Sequence, residues 1–379
     1  MEEIKLLIIE DTPTHVQIYK DSIRTLNNEI APNYVITATY KEDKARGLEA
    51  LQEMKYDLDG AFIDLKLQAG APVDVNEGND IVEEIYGKLR FPIVVLTNTP
   101  GAMNRAFTES IFLQLKTKTD VEYRDMLLSI VDIYKTGITK ILGKKGKIEK
   151  ALDDIFWKNI STTLGEWVEI NDTERPLLRY TLTHLQEHLE ITDDGKEFEN
   201  FFPLENYIKP CIKAYFFTGD IIHLKNDSAK RFIILTPACD LAPHGPSNLP
   251  KAKDIVISEI QPLSQGVFNE KIQIAKRPSG DAAANLIIQG AKDELNKILS
   301  NNYSPKYYYL PETTLVKGGL INFQKLTSIK YTDLNVQFNR EATVTTQFIK
   351  DIISKFSFYY SRQGSPDFNF NKLLTALLS

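Results

Sequence analysis

Three acidic residues, one threonine and one lysine give this sequence the groups that phosphoryl transfer requires. Glu10 and Asp11 follow one apolar run, and Asp64 ends another. Three carboxylates held together repel one another unless a cation neutralises them, and Mg²⁺ prefers such hard oxygen ligands. An ionised Asp64 beside Mg²⁺ is a nucleophile that can accept a phosphoryl group as an acyl phosphate. Thr97 and Lys116, which follow two later apolar runs, would then neutralise and orient the oxygens of that group.

Short apolar runs alternate with amphipathic segments through the first part of the chain. They predict strands at residues 5–9, 34–38, 61–65, 91–96 and 111–115. Helices are predicted from residue 12 and over 43–55, 80–89 and 121–142. This alternation is typical of an α/β fold, a doubly wound five-stranded parallel sheet with helices on both faces. Because ligands bind beyond the carboxyl ends of such strands, we expect the five side chains to share one crevice.

With this arrangement, residues 5–142 resemble the receiver domain of two-component response regulators. The acidic pair of the family corresponds to Glu10 and Asp11, and its phosphoacceptor to Asp64. The switch hydroxyl corresponds to Thr97, the switch lysine to Lys116, and the glycine before the third helix to Gly78. It implies a flavodoxin-like fold and a sensor histidine kinase that phosphorylates Asp64. It also implies that Asp11 and Asp64 bind Mg²⁺ directly, Glu10 binds it through water, and the backbone carbonyl of Lys66 completes the protein ligands.

The sequence departs from the family's pattern between Thr97 and Lys116. This segment is short and contains Pro100, so we expect the fourth helix to be reduced or remodelled. The loop at 68–79 is enlarged, and no proline follows the proposed switch lysine. Lys118 is the alternative for that role. A receiver-like scaffold that is not phosphorylated is the alternative for the whole unit.

Residues 144–214 are predicted to form a helical connector between a receiver domain at 1–143 and an effector domain at 215–379. Helices are predicted at 153–167 and 179–189, and such a pair is a plausible surface for a homodimer. Glycines interleaved with lysines at 143–147 break the preceding helix. The surrounding basic run is typical of a solvated linker, although it could contact phosphates.

The last part of the chain predicts a mixed, β-rich α+β domain, such as a small barrel with helical insertions. Strands are predicted at 221–224, 232–235, 254–260, 270–275, 307–310 and 319–323, and helices at 282–299 and 345–360. The sequence contains no recognisable helix-turn-helix with a basic recognition helix, so an effector of that type is not expected.

Cys239 and Asp240 follow a predicted strand of this domain. With His223 and His244 nearby in sequence, they could form a Cys/His nucleophilic site or half of a metal site. The alternative is a buried structural cysteine beside a turn-forming aspartate. Residues 219–222 faintly resemble the start of small-barrel ribonuclease toxins, which leaves a phosphorylation-gated hydrolase or nuclease as the second functional hypothesis. No enzymatic site is assigned from the sequence.

The composition of the 379 residues narrows the class of protein. The formal net charge is −6, which argues against nucleic acid as a general partner while leaving local basic patches open. Two cysteines are too few for a disulfide framework, which fits a reducing cytoplasm. The start of the sequence is acidic and carries no secretory pattern, and no apolar run approaches the ~20 residues that span a bilayer. We therefore expect a cytoplasmic protein that does not enter the membrane.

Overall fold

The computed structural model describes residues 1–55, 57–67, 77–143, 146–168, 170–189, 200–245, 249–362 and 368–378. The chain divides into two compact units, Met1–Glu199 and Asn200–Ser379. The helices of the predicted connector lie within the first unit, and the domain boundaries at 143 and 214 stay a prediction. None of the described helices is long and apolar enough to cross a membrane.

The first unit contains a sheet of five parallel strands. The strands are β1 (Glu2–Ile9), β2 (Tyr34–Lys41), β3 (Gly60–Asp64), β4 (Ile93–Thr97) and β5 (Leu113–Thr117). Their order across the sheet is β2-β1-β3-β4-β5, which is the flavodoxin-like doubly wound order. The predicted fold class is therefore confirmed for this unit.

Helices cover both faces of this sheet. The helices of the first unit are α1 (Pro13–Ile30), α2 (Lys44–Met54), α3 (Gly78–Ile85), α4 (Tyr123–Lys135), α5 (Ile138–Leu142), α6 (Lys147–Ile155), α7 (Ser161–Val168) and α8 (Glu174–Leu189). Helices α1 and α4 pack against one face, where Phe62 is buried, and α2 and α3 pack against the other, where Ile63 is buried. Because both faces are covered, β3 and β4 are buried throughout, as expected for central parallel strands.

The segment between β4 and β5 agrees with the sequence prediction, whereas the helix after β5 does not. Between β4 and β5 the chain forms one short 3-10 turn, Pro100–Ala102, in place of a fourth helix, as expected. The single helix predicted for 121–142 is wrong, because Gly137 has a left-handed φ of 80° that separates α4 from α5. The enlarged loop predicted at 68–79 lies mostly outside the described residues.

Strand β5 begins and ends two residues later than predicted. Ser110 and Leu113 exchange backbone hydrogen bonds of 2.9 and 3.2 Å, and this turn precedes the strand. Ile111 is therefore exposed to solvent and does not start the strand. The shift moves the carboxyl end of β5 to Thr117.

The second unit contains a seven-stranded antiparallel sheet. Its strands are β6 (Tyr207–Ile208), β7 (Asp220–Leu224), β8 (Asp227–Ile234), β9 (Asp254–Gln261), β10 (Tyr307–Leu310), β11 (Gly319–Lys330) and β12 (Phe338–Val344). Its helices are α9 (Ala238–Leu241), α10 (Gly266–Ala275), α11 (Ala282–Leu299), α12 (Tyr331–Gln337), α13 (Thr346–Ser361) and α14 (Phe370–Leu378). The strand order is β10-β11-β9-β8-β7-β12-β6.

The two edge strands of this sheet approach each other. The hydroxyl of Tyr207, on β6, donates a 2.7 Å hydrogen bond to the carbonyl of Pro311, directly after β10. Helix α13 packs on the core at this face through Ile352. The predicted β-rich α+β unit is therefore confirmed, but the strand predicted at 270–275 is wrong. That segment belongs to α10, where Phe268 and Ile272 lie one helical turn apart and pack into the same core.

Candidate functional site

Three carboxylates converge at the carboxyl ends of β1 and β3. Glu10 follows β1 and Asp64 ends β3, and the pairing of Ile9 with Ile63 places them side by side. Glu10 and Asp64 are 3% and 6% exposed, whereas Asp11 is more open to solvent. One carboxylate oxygen from each of the three lies within 4.8 Å of the others. A close set of hard oxygen donors of this kind fits a divalent cation such as Mg²⁺.

Lys118 supplies the cation of this cluster. Its ammonium nitrogen lies 2.7 Å from Glu10 Oε2 and 2.8 Å from Asp64 Oδ2, and its side chain is 6% exposed. The expectation that Lys116 occupies this place is wrong. Lys116 pairs with Leu96 inside strand β5, and its side chain is exposed. Because β5 ends two residues later than predicted, the strand-end position falls to Lys118, the alternative lysine.

Thr97 ends β4 beside the cluster and is 1% exposed. Its hydroxyl accepts a 3.1 Å hydrogen bond from the backbone N–H of Thr99 and lies 3.3 Å from the Thr99 hydroxyl. The backbone carbonyl of Thr97 accepts a 3.2 Å hydrogen bond from the N–H of Lys118. Thr97 is thus hydrogen-bonded both to Thr99 in the loop after β4 and to the backbone of Lys118.

Burial and charge act in opposite directions on Asp64. Burial raises the pKa of this carboxyl, the ammonium of Lys118 lowers it, and the charge of Glu10 raises it, so that the net shift is upward. Burial lowers the pKa of Lys118, but its hydrogen bonds with the two carboxylates outweigh this effect and the net shift is upward. Lys118 therefore stays charged and partly neutralises the cluster.

An aromatic layer that the sequence analysis did not identify lies against the cluster. The hydroxyl of Tyr123 is 2.5 Å from His15 Nδ1, and the ring of Tyr19 packs edge-on against Tyr123 at 4.7 Å between ring centroids. Burial, together with the charges of Glu10 and Asp64, raises the pKa of Tyr123 to about 12. The four-residue spacing of His15 and Tyr19 on α1 is the sequence signal that places them on one helix face.

The turn after Asp64 is closed by close backbone packing. The N–H of Gly78 donates a 3.0 Å hydrogen bond to the carbonyl of Leu65. A Cβ atom at Gly78 would lie 2.2 Å from the carbonyl oxygen of Asp64, so only glycine fits here. The N–H of Lys66 donates a 3.2 Å hydrogen bond to Asp64 Oδ1. The role of the Lys66 carbonyl as a metal ligand stays a prediction.

Of the residues predicted for a second site, Cys239 and Asp240 lie on α9 and His244 follows it, whereas His223 lies on β7. Cys239 is exposed, and its thiol is 3.7 Å from Asp240 Oδ1. His244 contacts the backbone carbonyl of Cys239 through Nε2 at 2.7 Å, and not the thiol. His223 makes its hydrogen bond through Nδ1 with the carbonyl of Leu224. The alternative of a buried structural cysteine does not describe this exposed thiol, and a catalytic role for Cys239, Asp240 and His223 stays a prediction.

No protein-family model matches the sequence, and no curated protein matches it.

Among solved structures, the chain is similar to the RcsB response regulator of Salmonella typhimurium, with 16% identity, coverage of 48% of this chain and 99% of that chain, and a TM-score of 0.26. It is similar to the N-terminal domain of a response regulator/sensory box/GGDEF three-domain protein from Carboxydothermus hydrogenoformans, with 16% identity, 35% and 98% coverage, and a TM-score of 0.22. It is also similar to the bacteriophytochrome response regulator AtBRR, with 19% identity, 35% and 94% coverage, and a TM-score of 0.26.

At these TM-scores, the assignment of the fold rests on the chain's own strand order and register. The first unit is similar to the receiver domains of response regulators in the order and direction of its strands.

Proposed function

We propose that the first unit is the receiver of a cytoplasmic response regulator, which accepts a phosphoryl group on Asp64 from a sensor histidine kinase. The observation that carries this proposal is the contact of one buried lysine with two buried carboxylates at the ends of two neighbouring parallel strands, β1 and β3. Lys118 lies within 2.8 Å of both Glu10 and Asp64. An ion pair with a purely structural role needs only one carboxylate. Here a carboxylate oxygen of a third acid, Asp11, also lies within 4.8 Å of those of Glu10 and Asp64, which is more negative charge than one lysine neutralises.

In the proposed reaction, one carboxylate oxygen of Asp64 attacks the phosphorus of a phosphohistidine. A P–O bond forms, the P–N bond breaks, and the imidazole leaves with a proton. Asp11 and Asp64 would hold Mg²⁺ directly and Glu10 would hold it through water, and the ion would neutralise negative charge on the transferred oxygens. Lys118 supplies the second positive charge from the carboxyl end of β5.

The phosphoryl group adds about −1.5 to −2 charge next to Lys118 and Thr97. A new acceptor at Asp64 would compete with Glu10 for the ammonium of Lys118, and with Thr99 for the hydroxyl of Thr97. Because the backbones of Thr97 and Lys118 are hydrogen-bonded, the loops after β4 and β5 would move together. The chain has only one short 3-10 turn between β4 and β5 in place of a fourth helix. These two loops would therefore form the surface that changes on phosphorylation.

We further propose that the helical connector joins two copies of the chain and that the second unit is an effector without a helix-turn-helix. Helices α7 and α8 contact each other through Trp167 and Tyr180, whose ring centroids are 5.6 Å apart. Large apolar side chains remain exposed on this helical segment, including Val168 at 77%, Leu178 at 59% and Leu182 at 55%. A helical pair with an uncovered apolar face is half of a four-helix bundle, which a second copy would complete.

Beryllofluoride, a mimic of the acyl phosphate, tests this function in the full chain. Calorimetry should show binding that requires Mg²⁺ and is lost in Asp64→Asn. Both tryptophans of the chain, Trp157 and Trp167, lie in the connector, so their fluorescence should change when the mimic binds. Binding that is retained in Asp64→Asn, or no binding at all with Mg²⁺ present, would favour the scaffold that is not phosphorylated.

A further inference from the structure

The two units differ in charge, which the net charge of the whole chain conceals. Residues 200–379 contain 21 lysines and arginines against 15 aspartates and glutamates, a formal charge of +6. Residues 1–199 contain 24 against 36, a formal charge of −12. Charge asymmetry between the halves of a chain is typical of proteins that bind an anionic partner through the basic half. The −6 of the whole chain is therefore no guide to the ligands of the second unit.

A polar cleft in the second unit lies between the end of α11, the start of β10 and the outer side of α13. Its volume is about 510 Å³, within the range of small-molecule sites. It is lined by Ser300, Asn301, Asn302, Ser304, Pro305, Asp351, Ser354, Lys355 and Phe358. Hydroxyl and amide groups predominate, with one ammonium, one carboxylate and one aromatic ring. Such a lining suits a polar ligand that also has an apolar face.

Lys355 is held in this cleft by its surroundings. Its ammonium donates to the carbonyl of Asn301 and lies 5.8 Å from the centre of the Tyr308 ring. Asn301 adopts a left-handed φ of 59°, which is uncommon for a residue other than glycine. Burial lowers the pKa of Lys355 and the charge of Asp351 raises it, with a net shift downward, so the charged form still carries an unfavourable desolvation that a further anion would relieve. An ammonium has three N–H donors, and the carbonyl of Asn301 takes one of those of Lys355.

The other charged and aromatic groups of the cleft complement this lysine. Tyr308 is buried, and its hydroxyl bonds to the carboxylate of Asp351; burial first, and this carboxylate second, raise the pKa of the tyrosine. Phe358 is 61% exposed and lies three residues after Lys355, so the ring and the ammonium are neighbours on one helix face. A ring that packs no core at this position offers a stacking surface.

We propose that this cleft binds a nucleotide, either free or as one unit of a single strand, with the phosphate on Lys355 and the base against Phe358. A cation and an aromatic ring side by side are the two groups by which proteins hold unpaired nucleotides without reading sequence. The serine and asparagine side chains are donors and acceptors for the sugar and the phosphate. This inference is independent of the phosphorylation of Asp64.

The test measures binding of the full chain to a fluorescent single-stranded oligonucleotide, to a mononucleotide and to a duplex of the same sequence, at low and at higher salt. Lys355→Ala and Phe358→Ala should each weaken binding of the single strand or the mononucleotide at least tenfold. Lys350→Ala is the matched control, because this exposed lysine is on the same helix but does not line the cleft. It should change binding less than twofold. Thermal unfolding of each variant establishes that the fold is retained.

Binding of the mononucleotide would identify a free nucleotide as the ligand, and binding of the oligonucleotide alone would identify a single strand; either supports the proposal. For a strand, Lys355→Ala should also reduce the dependence of binding on salt. The proposal is overturned if neither ligand binds at low salt, if the duplex binds more tightly than the single strand, or if Lys355→Ala and Phe358→Ala bind like Lys350→Ala.

Discussion

The ammonium of Lys118 lies 2.8 Å from the carboxylate of Asp64, across the ends of β3 and β5. If this lysine stabilises the transferred group, Lys118→Ala should slow phosphorylation of Asp64 by about 100-fold or more, since loss of one oxyanion donor typically costs about 100- to 1000-fold in rate. Phos-tag electrophoresis after incubation with a small-molecule phosphodonor measures the rate. Lys116→Ala is the control, because its exposed side chain lies outside the cluster. Equal rates in the two variants would refute this role of Lys118.

The same lysine should compete with Mg²⁺ for the acidic cluster. Lys118→Met removes the cation that neutralises Glu10 and Asp64, so the affinity for Mg²⁺ measured by calorimetry should rise. Without metal, the variant should lose about 3–5 kcal/mol of unfolding free energy, the usual cost of leaving a buried charge unpaired. Saturating Mg²⁺ should restore part of this loss in urea unfolding. An unchanged metal affinity and stability would show that the carboxylates do not form a cation site.

The close approach of Gly78 to Asp64 predicts a sharp effect of one methyl group. In Gly78→Ala, the added Cβ would lie 2.2 Å from the carbonyl oxygen of Asp64, so the start of α3 or the end of β3 must shift. We expect a loss of about 1–3 kcal/mol in urea unfolding and a weaker affinity for Mg²⁺. Gly101→Ala is the control, because no atom lies within 4 Å of its added Cβ. A Gly78→Ala protein as stable as this control would contradict the packing described.

The exposed apolar face of the connector predicts self-association. Leu178→Glu and Leu182→Glu together should shift the full chain from dimer to monomer in analytical ultracentrifugation, because both side chains are more than half exposed and would be covered by the partner copy. Thr183→Glu, an exposed position on the same helix outside the apolar set, is the control. A parent protein that stays monomeric with beryllofluoride and Mg²⁺ would exclude the proposed dimer.

The position of Asp64 could be predicted from the sequence because β3 is buried on both faces. A central parallel strand is a continuous apolar run, so the first polar residue marks its end. Strand β5 lies at the edge of the sheet and is only partly buried, so its apolar residues do not define its ends. The exposed Ile111 lengthened the predicted strand at its start, and the turn at Ser110 that decides the boundary depends on backbone hydrogen bonds.

The second unit was harder to predict because the apolar pattern of one of its segments fits both a strand and a helix. Ile272 and Ile274 alternate with polar residues as in a strand, yet Phe268 and Ile272 pack together on one face of α10. The sequence fits both the two-residue period of a strand and the 3.6-residue period of a helix, and tertiary packing decides between them. The cleft beside Lys355 joins the loop after α11 to the distant helix α13, so its presence follows only from the folded structure.

The most direct measurement is the mass and the site of modification of the chain after incubation with a phosphodonor and Mg²⁺. We predict one phosphoryl group on Asp64, absent when EDTA is added and absent in Asp64→Asn. A phosphoryl group on another residue, equal modification of Asp64→Asn, or an unmodified chain after treatment with both its kinase and a small-molecule donor would contradict the proposed function.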